Sequence, residues 1–241
     1  TVTNGSLAVN VNSGTASVAD INTINADSAT GIVTATATET AAATLIGLTT
    51  TGTDAITVTM AAASTAAADL NTIDGKTSVA VGATAITELT GNATDVKTAL
   101  ASSGITTVTN GSLAVNVNSG TASVADINTI NADSATGIVT ATATETAAAT
   151  LIGLTTTNAD MITVTMAAAS TAATDLNTID GKTGTAVVAT AITELTGAAS
   201  DVMDALASTG ITTVVDNSLA VTVSGNTSVA DINTINADTA T

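Results

Sequence analysis

Eight residue types are missing from this chain, Gln among them. It has no Phe, Trp, Tyr, Cys, Pro, His or Arg in 241 residues. Without Cys and His it has no disulfide, no thiolate nucleophile, no imidazole base and no zinc site. These absences exclude most nucleophilic and transition-metal chemistry. The composition therefore predicts a protein that is not an enzyme, without catalytic or cofactor-binding residues.

Positive charge is also scarce. The only cations are Lys76, Lys97 and Lys182, which stand against 20 acidic residues and leave a net charge of -17. Nucleic acid and anionic lipid both require Lys or Arg, so neither is expected as a partner. No run approaches the roughly 20 apolar residues of a transmembrane helix, which predicts no membrane insertion.

What the chain does contain is dominated by two residue types, with 56 Thr and 50 Ala. Its hydrophobic fraction is 45% and its mean hydropathy is +0.49. Disordered chains have low hydrophobicity, whereas this chain has enough Ala, Val, Ile and Leu to bury a core. We therefore expect a folded protein of small side chains.

The sequence repeats with a period of 106 residues. Residues 1–51 are identical to residues 107–157, and a third copy is recognisable from Ser218 onward. The predicted organisation is a repeat unit at 1–110, a second at 111–216 and the start of a third at 217–241. Because the chain begins and ends within a unit, we expect it to be a section of a longer array.

A shorter period lies inside each unit. Large aliphatic residues recur at separations of 24, 25, 26 and 31, and most are followed by a second aliphatic three residues later, which is a helical spacing. Alternating stretches such as IVTATAT lie between them and predict strands. The aliphatic anchors are Ile21, Leu45, Leu70, Val96 and Ile127.

The pattern of a strand, a turn and a short helical segment recurs about every 25 residues. It predicts a mainly β protein with short helical turns, which is a continuous parallel β-solenoid with about four coils per 106-residue repeat. The alternative is a string of immunoglobulin-like β-sandwiches, since 106 residues is also the size of one such domain.

Carboxylates occur at many of the predicted turns. Stacked in register about 5 Å apart, they would repel by on the order of 1 kcal/mol per pair in water. Calcium binds Asp carboxylates and loop carbonyls and would relieve this repulsion. The alternative is that these residues form Asx turns, with mobile sodium as counterion. The candidate calcium ligands are Asp27, Asp54, Asp74, Asp133, Asp160 and Asp180.

Threonine supplies a second candidate surface. In a strand, the alternate threonines of a T-x-T pattern point to one face. Ranks of this kind resemble those of some ice-binding proteins, so an ice-binding Thr array is a minor alternative function. The alternative to ice binding is that Thr is only a residue well suited to the outward face of a strand. The patterns lie at Thr34, Thr36, Thr38, Thr57, Thr59, Thr140, Thr142 and Thr144.

The strings SVADINTI, TAAADLNTID and AITELTG resemble repeats of very large, Thr/Ala-rich cell-surface and secreted proteins of cyanobacteria and other Gram-negative bacteria. The resemblance covers the whole chain. It implies an exported bacterial adhesin, sheath or surface-layer component, located at the cell surface or outside the cell.

Composition and repetition favour a mechanical function. The sequence predicts a structural repeat protein that forms an extracellular fibre, filament or surface coat. The alternative is an adhesin stalk or spacer that presents a distal binding domain. In the first case the partners are copies of the same chain, joined end to end or side to side.

Overall fold

The computed structural model describes residues 7–12, 14–107, 113–134, 136–213 and 219–239. The predicted unit boundaries after residues 110 and 216 lie outside these ranges.

Nine helices occur in the described residues. They vary from one turn to three turns in length. Their bounds are Val18–Ser28 (α1), Ala42–Leu45 (α2), Ala67–Asp74 (α3), Ala93–Ala101 (α4), Val124–Ser134 (α5), Ala148–Leu151 (α6), Ala173–Asp180 (α7), Ala199–Ala207 (α8) and Val229–Thr239 (α9).

Fifteen short strands accompany these helices in the same ranges. They are Val9–Asn10 (β1), Val33–Thr36 (β2), Ala55–Thr57 (β3), Ser64–Ala66 (β4), Val81–Gly82 (β5), Glu88–Gly91 (β6), Ile105–Thr106 (β7), Ala114–Val117 (β8), Val139–Thr142 (β9), Met161–Thr163 (β10), Ser170–Ala172 (β11), Val187–Val188 (β12), Glu194–Ala198 (β13), Ile211–Thr212 (β14) and Ala220–Ser224 (β15).

The prediction of a mainly β solenoid is wrong, because the protein is mixed α/β. Helices hold more of the described residues than strands do, and the strands have only two to five residues each. The alternating stretch IVTATAT forms a strand only over β2. The helix that begins in SVADINTI runs over Val18–Ser28, longer than the one or two turns expected. Ser17 caps its start by accepting a hydrogen bond from the Asp20 N–H (3.1 Å).

The alternative of immunoglobulin-like sandwiches is also wrong. Every strand pair in the described ranges is parallel, whereas a sandwich of that kind is built from antiparallel sheets. Parallel pairing requires a crossover between partners, and here the helices lie in the connections.

The chain divides into two compact units. The first lies within Thr1–Ser119 and Ala132–Gly137, and the second within Gly120–Asn131 and Ile138–Thr241. In the first unit, β1 pairs with β2 and β2 with β3, β4 pairs with β6 and β6 with β8, and β5 pairs with β7.

The second unit repeats this arrangement. There β9 pairs with β10, β11 with β13, β13 with β15, and β12 with β14. Paired residues in both units are separated by 21 to 26 positions, as in Thr34 with Ala55 and Glu194 with Ala220. Each strand therefore lies beside the strand of the neighbouring structural segment.

In each unit the core consists of aliphatic side chains from both strands and helices. All five sequence anchors, from Ile21 to Ile127, are completely buried. Strand residues of the alternating pattern contribute to it, for example Val33 and Ile56. The periodic aliphatic residues were correctly identified from the sequence as core positions.

One glycine is required by a close approach of the backbone. A Cβ on Gly137 would collide with the carbonyl oxygen of Leu113, and the same contact recurs between Gly31 and Leu7. The TG dipeptide after each of the first two long helices therefore marks a position where two stretches of backbone touch.

Candidate functional site

Asp54 joins three stretches of chain in the first unit. Its side chain is 4% exposed. Its Oδ1 accepts a hydrogen bond from the Val33 N–H of β2 (2.8 Å), and its Oδ2 accepts one from the Thr51 N–H (2.8 Å). Its carbonyl oxygen accepts a third from the Ser78 N–H (2.7 Å). The carboxylate thus holds the turn 51–54 against the preceding strand.

Asp160 repeats this arrangement in the second unit. Its carboxylate accepts hydrogen bonds from the N–H groups of Val139 (2.9 Å) and Thr157 (2.9 Å), and its carbonyl oxygen accepts one from the Gly184 N–H (2.7 Å). The residue that donates to this carbonyl oxygen is Ser78 in the first copy and Gly184 in the second. The hydrogen bond is the same in both copies, because the backbone N–H is the donor.

The other four predicted calcium ligands lie elsewhere. Asp74 accepts a hydrogen bond from the Ser102 hydroxyl (2.8 Å), and Asp180 accepts one from Ser208 (2.8 Å). Asp27 and Asp133 are exposed on α1 and α5, inside helices and not at turns as expected.

The structure therefore gives the six carboxylates three different settings. Within the described residues, no group of three or more acidic side chains is arranged to hold a metal ion. Calcium binding by this set stays a prediction.

The helices carry asparagines that sequence reasoning missed. On α1, the Asn22 side-chain amide donates to the Gly47 carbonyl (2.8 Å), and its oxygen accepts from the Thr49 N–H (2.8 Å). On α5, Asn128 makes the same two bonds to Gly153 and to the Thr155 N–H (both 2.8 Å). Each bond joins a helix to the backbone of the segment that follows it.

The residues of the I-N-T-I motif on α1 have different roles. Ile21 points into the core, Asn22 reaches the next segment, and the Thr23 hydroxyl donates to the carbonyl of Ala19 in its own helix (2.9 Å). The signal in the sequence was the recurrence of Asn directly after the aliphatic anchor, at Asn71 and Asn177 as well. Those two donate to the carbonyls of Asp95 and Asp201 (both 3.0 Å).

Glutamate also joins neighbouring segments. Glu39 accepts a hydrogen bond from the Val18 N–H at the first residue of α1 (3.0 Å), and Glu145 does the same for Val124 at the start of α5 (2.9 Å). A carboxylate at a helix N-terminus satisfies a free N–H and interacts favourably with the helix dipole.

Glu194 lies on β13, the middle strand of three. It accepts hydrogen bonds from the hydroxyls of Thr222 on β15 (2.6 Å) and Ser170 on β11 (2.7 Å). These bonds, that of Thr222 foremost, hold the pKa of Glu194 below its ordinary value of 4.5, against a smaller opposing effect of desolvation. In the first copy Glu88 accepts from Ser64 (2.7 Å) and more distantly from the Asn116 amide (3.5 Å).

The T-x-T strands form only a narrow rank. Thr36 of β2 lies beside Thr57 of β3, and both are exposed. On the next strand in this direction, Thr59 pairs with Gly82, so the rank ends there. The predicted threonine array is two strands wide at this point of the first unit.

A shallow groove recurs once in each unit. It encloses about 310 Å³ in the first copy and about 290 Å³ in the second, and alanines line most of it. It lies beside α2 and α6, whose single turns fill less space than the helices of two or three turns. Its acidic residue is Asp69 in one copy and Asp175 in the other.

One apolar face of the second unit is uncovered. Val229 and Ile232 of α9 are 75% and 51% exposed, whereas their counterparts in α5, Val124 and Ile127, are 7% and 0% exposed. A hollow of about 270 Å³ lies between α9 and β15, lined by Val221 and other aliphatic residues of both elements. We call the exposed side of α9 with β15 the α9 face.

The comparisons with known proteins returned no match: no family model, no curated protein and no solved structure matches this chain. The resemblance to bacterial surface proteins accordingly stays a prediction. None of the helices in the described ranges has the length and the apolar composition needed to cross a bilayer.

Proposed function

We propose that this chain is a structural repeat protein, whose copies associate with one another into an extracellular fibre, filament or surface coat. One observation supports this proposal above others. The same polar contacts join neighbouring segments in both copies at two places, through Asn22 and Asn128 and through Asp54 and Asp160. A repetitive structural protein requires neighbouring segments to be joined by the same contacts in every copy.

The charge distribution also fits a structural role. The net charge of -17 on 241 residues keeps neighbouring molecules apart and soluble until counterions screen it. The carboxylates whose contacts are described above mostly hold turns, helix starts or strands together. Their chemistry is that of hydrogen-bond acceptors in a scaffold.

The absence of certain side chains suits exposure outside the cell. A chain with no Cys, Trp or Tyr and with four Met has few sites for oxidation, and three Lys with no Arg leave few sites for trypsin-like proteases. This supports the extracellular location that the resemblance implies.

The experiment is a measurement of assembly as a function of protein concentration. Sedimentation velocity and negative-stain electron microscopy of the full chain are done at low and high salt, because repulsion between molecules weakens as the Debye length falls from about 10 Å at 0.1 M to about 3 Å at 1 M salt. We expect filaments or sheets with a regular repeat at high concentration. Separate monomers under all conditions would contradict the proposal.

A further inference from the structure

The segment 32–51 is identical to the segment 138–157, and each packs on the stretch of chain that follows it. The first packs on residues 54–83 within the first unit. The second packs on residues 160–189 within the second unit. We call these two contacts the first joint and the second joint. Because one sequence forms both, a comparison of the joints shows which groups the segment requires.

The hydrogen bonds across the two joints are the same. In the first joint, the Ala37 N–H donates to the carbonyl of Thr57 (3.0 Å), and the buried Thr50 hydroxyl donates to the carbonyl of Lys76 (2.8 Å). The second joint repeats both bonds at the same lengths, between the counterparts of these residues 106 positions further along the chain. The acceptors are backbone carbonyls, so these bonds do not depend on the side chains of the accepting stretch.

The two accepting stretches are nearly the same in sequence. Residues 54–83 and 160–189 differ at five of their 30 positions, and none of the five is buried in either copy. The segment 32–51 would therefore meet the same buried side chains and the same backbone at either joint. The five differences are Ala55/Met161, Ala68/Thr174, Ser78/Gly184, Val79/Thr185 and Gly82/Val188.

Each joint also contains the shallow alanine groove. In the first joint, residues 40–43 line one side of the groove and residues 60–69 line the other. Unfilled space between packed segments forgoes van der Waals contacts. Helix α2 lies beside it, has a single turn and no side-chain cap at Ala41, and depends on tertiary packing for its stability. These features favour separation of neighbouring segments at the joints.

We propose that copies of this chain associate by exchanging partners at the joints, so that segment 32–51 of one copy packs on residues 160–189 of another. The exchanged joint has the same hydrogen bonds as the original ones, because an identical segment meets an equivalent accepting stretch. Exchange is a low-cost route to association, since the bonds lost within each copy are regained between copies. This inference rests on the proposed function, because it specifies the contact through which copies associate.

The presence of two equivalent joints distinguishes this exchange from ordinary domain swapping. When only one joint exchanges, two copies swap equivalent segments and close into a dimer. Here each copy offers two identical segments and two accepting stretches, and a segment from the first joint fits the second joint of another copy. Successive copies are then added without closing the assembly, as a fibre or a coat requires.

The first test locks both joints, which the absence of native cysteine permits. Thr36 is paired with Thr57 in the first joint, and Thr142 with Thr163 in the second. Neighbouring strands lie about 4.8 Å apart, within the Cα separations that a disulfide spans. The variant T36C/T57C/T142C/T163C is oxidised as a dilute monomer, and mass spectrometry verifies the two disulfides.

The oxidised variant is then concentrated to about 1 mM, which is the order of the effective concentration at which a tethered segment competes. Sedimentation velocity and negative-stain microscopy measure assembly. We expect complete loss of assembly while the joints are locked, and assembly like that of the unmodified chain after dithiothreitol. The reduced variant is thus its own control for the four substitutions.

The second test traps the exchanged joint between two molecules. The single variants T36C and T163C are mixed, brought to the midpoint of urea unfolding, returned to buffer and oxidised. We expect a disulfide-linked heterodimer, which forms only after the urea step because the joints must open first. T72C in place of T163C is the control, since Thr72 is exposed on α3 outside the paired strands, and we expect no heterodimer with it.

A second pair repeats this test at neighbouring outward positions. Thr140, the counterpart of Thr34, is paired with Met161, so T34C is mixed with M161C in the same way. We expect the same heterodimer from this pair.

The other outcomes overturn the inference in distinguishable ways. Assembly that persists with both joints locked rejects the exchange and leaves the proposed function standing. A heterodimer of T36C with T57C, but none with T163C and none for the second pair, also rejects it, because only ordinary swapping at one joint has then occurred. Absence of any assembly of the unmodified chain in sedimentation and microscopy rejects both proposals.

Discussion

Asp160 is a buried residue whose hydrogen bonds depend on both carboxylate oxygens. Its carboxylate is 5% exposed and accepts two backbone N–H groups. In D160N one oxygen becomes an NH₂ group, so a donor faces a donor. An unsatisfied buried polar group costs about 1 to 3 kcal/mol, and we expect the free energy of unfolding to fall by that amount in urea denaturation.

The control for this prediction is D133N. Asp133 is exposed on α5, and a surface substitution of this kind changes stability by about 0.5 kcal/mol or less. Equal stability of the two variants would show that the Asp160 contacts contribute nothing.

Glu194 gives a prediction about pH. Because hydrogen bonds from Thr222 and Ser170 lower the pKa of its carboxyl group, these bonds stabilise the fold above the ordinary value of 4.5. That stabilisation is lost as the pH falls through the lowered pKa and the carboxyl is protonated. We expect ¹³C NMR titration to give a value below 4.5, T222V to raise it more than S170A does, and the stability difference between wild type and E194Q to shrink in acid.

A titration of Glu194 unaffected by T222V would contradict this account. S170A is the informative comparison, since it removes the weaker of the two bonds on the same carboxylate.

At the scale of elements, the two copies differ at the start of one helix. Asn92 caps α4 by accepting from the Asp95 N–H (2.9 Å), whereas Ala198 at the start of α8 makes no side-chain cap. An N-cap of this kind contributes about 1 kcal/mol. We expect N92A to weaken and A198N to strengthen protection of the first amides of each helix, measured by hydrogen exchange.

The two substitutions are reciprocal controls, because each copy supplies the sequence into which the other is changed. Changes of the same sign in both variants would mean that something other than capping determines the stability of these helix ends.

The helix asparagines give the second prediction at this scale. N128A removes two bonds between α5 and segment 153–155, each worth about 0.5 to 1.5 kcal/mol, so we expect a loss of about 1 to 3 kcal/mol in denaturant unfolding at low protein concentration. N233A is the matched control, because this side chain has no partner within the described residues, and its stability should equal that of the wild type.

If N233A destabilised the dilute chain as much as N128A does, the loss would come from the helix itself. Helix propensity favours Ala over Asn, which makes that result the opposite of the one expected from propensity alone.

For the whole molecule, the sequence was most informative where a periodic signal was strong. The recurrence of aliphatic anchors correctly identified buried positions such as Ile21 and Leu70. Their i, i+3 spacing correctly predicted helical segments but not their length, because length depends on caps and on packing that lie outside the local pattern. That underestimate led to the wrong fold class.

Contacts between distant residues were less accessible from sequence. Glu39 meets Val18 across 21 positions, and Asp54 meets Val33 across the same distance. Neither contact corresponds to a local motif in the sequence. The repeat shows which residues recur, and only the folded structure shows that a recurring carboxylate accepts backbone N–H groups of the neighbouring segment.

The net charge leads to the last prediction, which separates screening from calcium binding. At low ionic strength the -17 charge destabilises the compact state through self-repulsion, so added NaCl should raise the melting temperature. Because Asp54 and Asp160 already have hydrogen-bond donors, we expect about 1 mM CaCl₂ and about 1 mM MgCl₂ to act alike, since a screening divalent ion needs no specific ligand geometry. Circular dichroism melts after EGTA treatment, with each salt added back, measure this. A rise with calcium alone, lost in D54N/D160N but not in D27N/D133N, would instead show that the turn carboxylates form a calcium site.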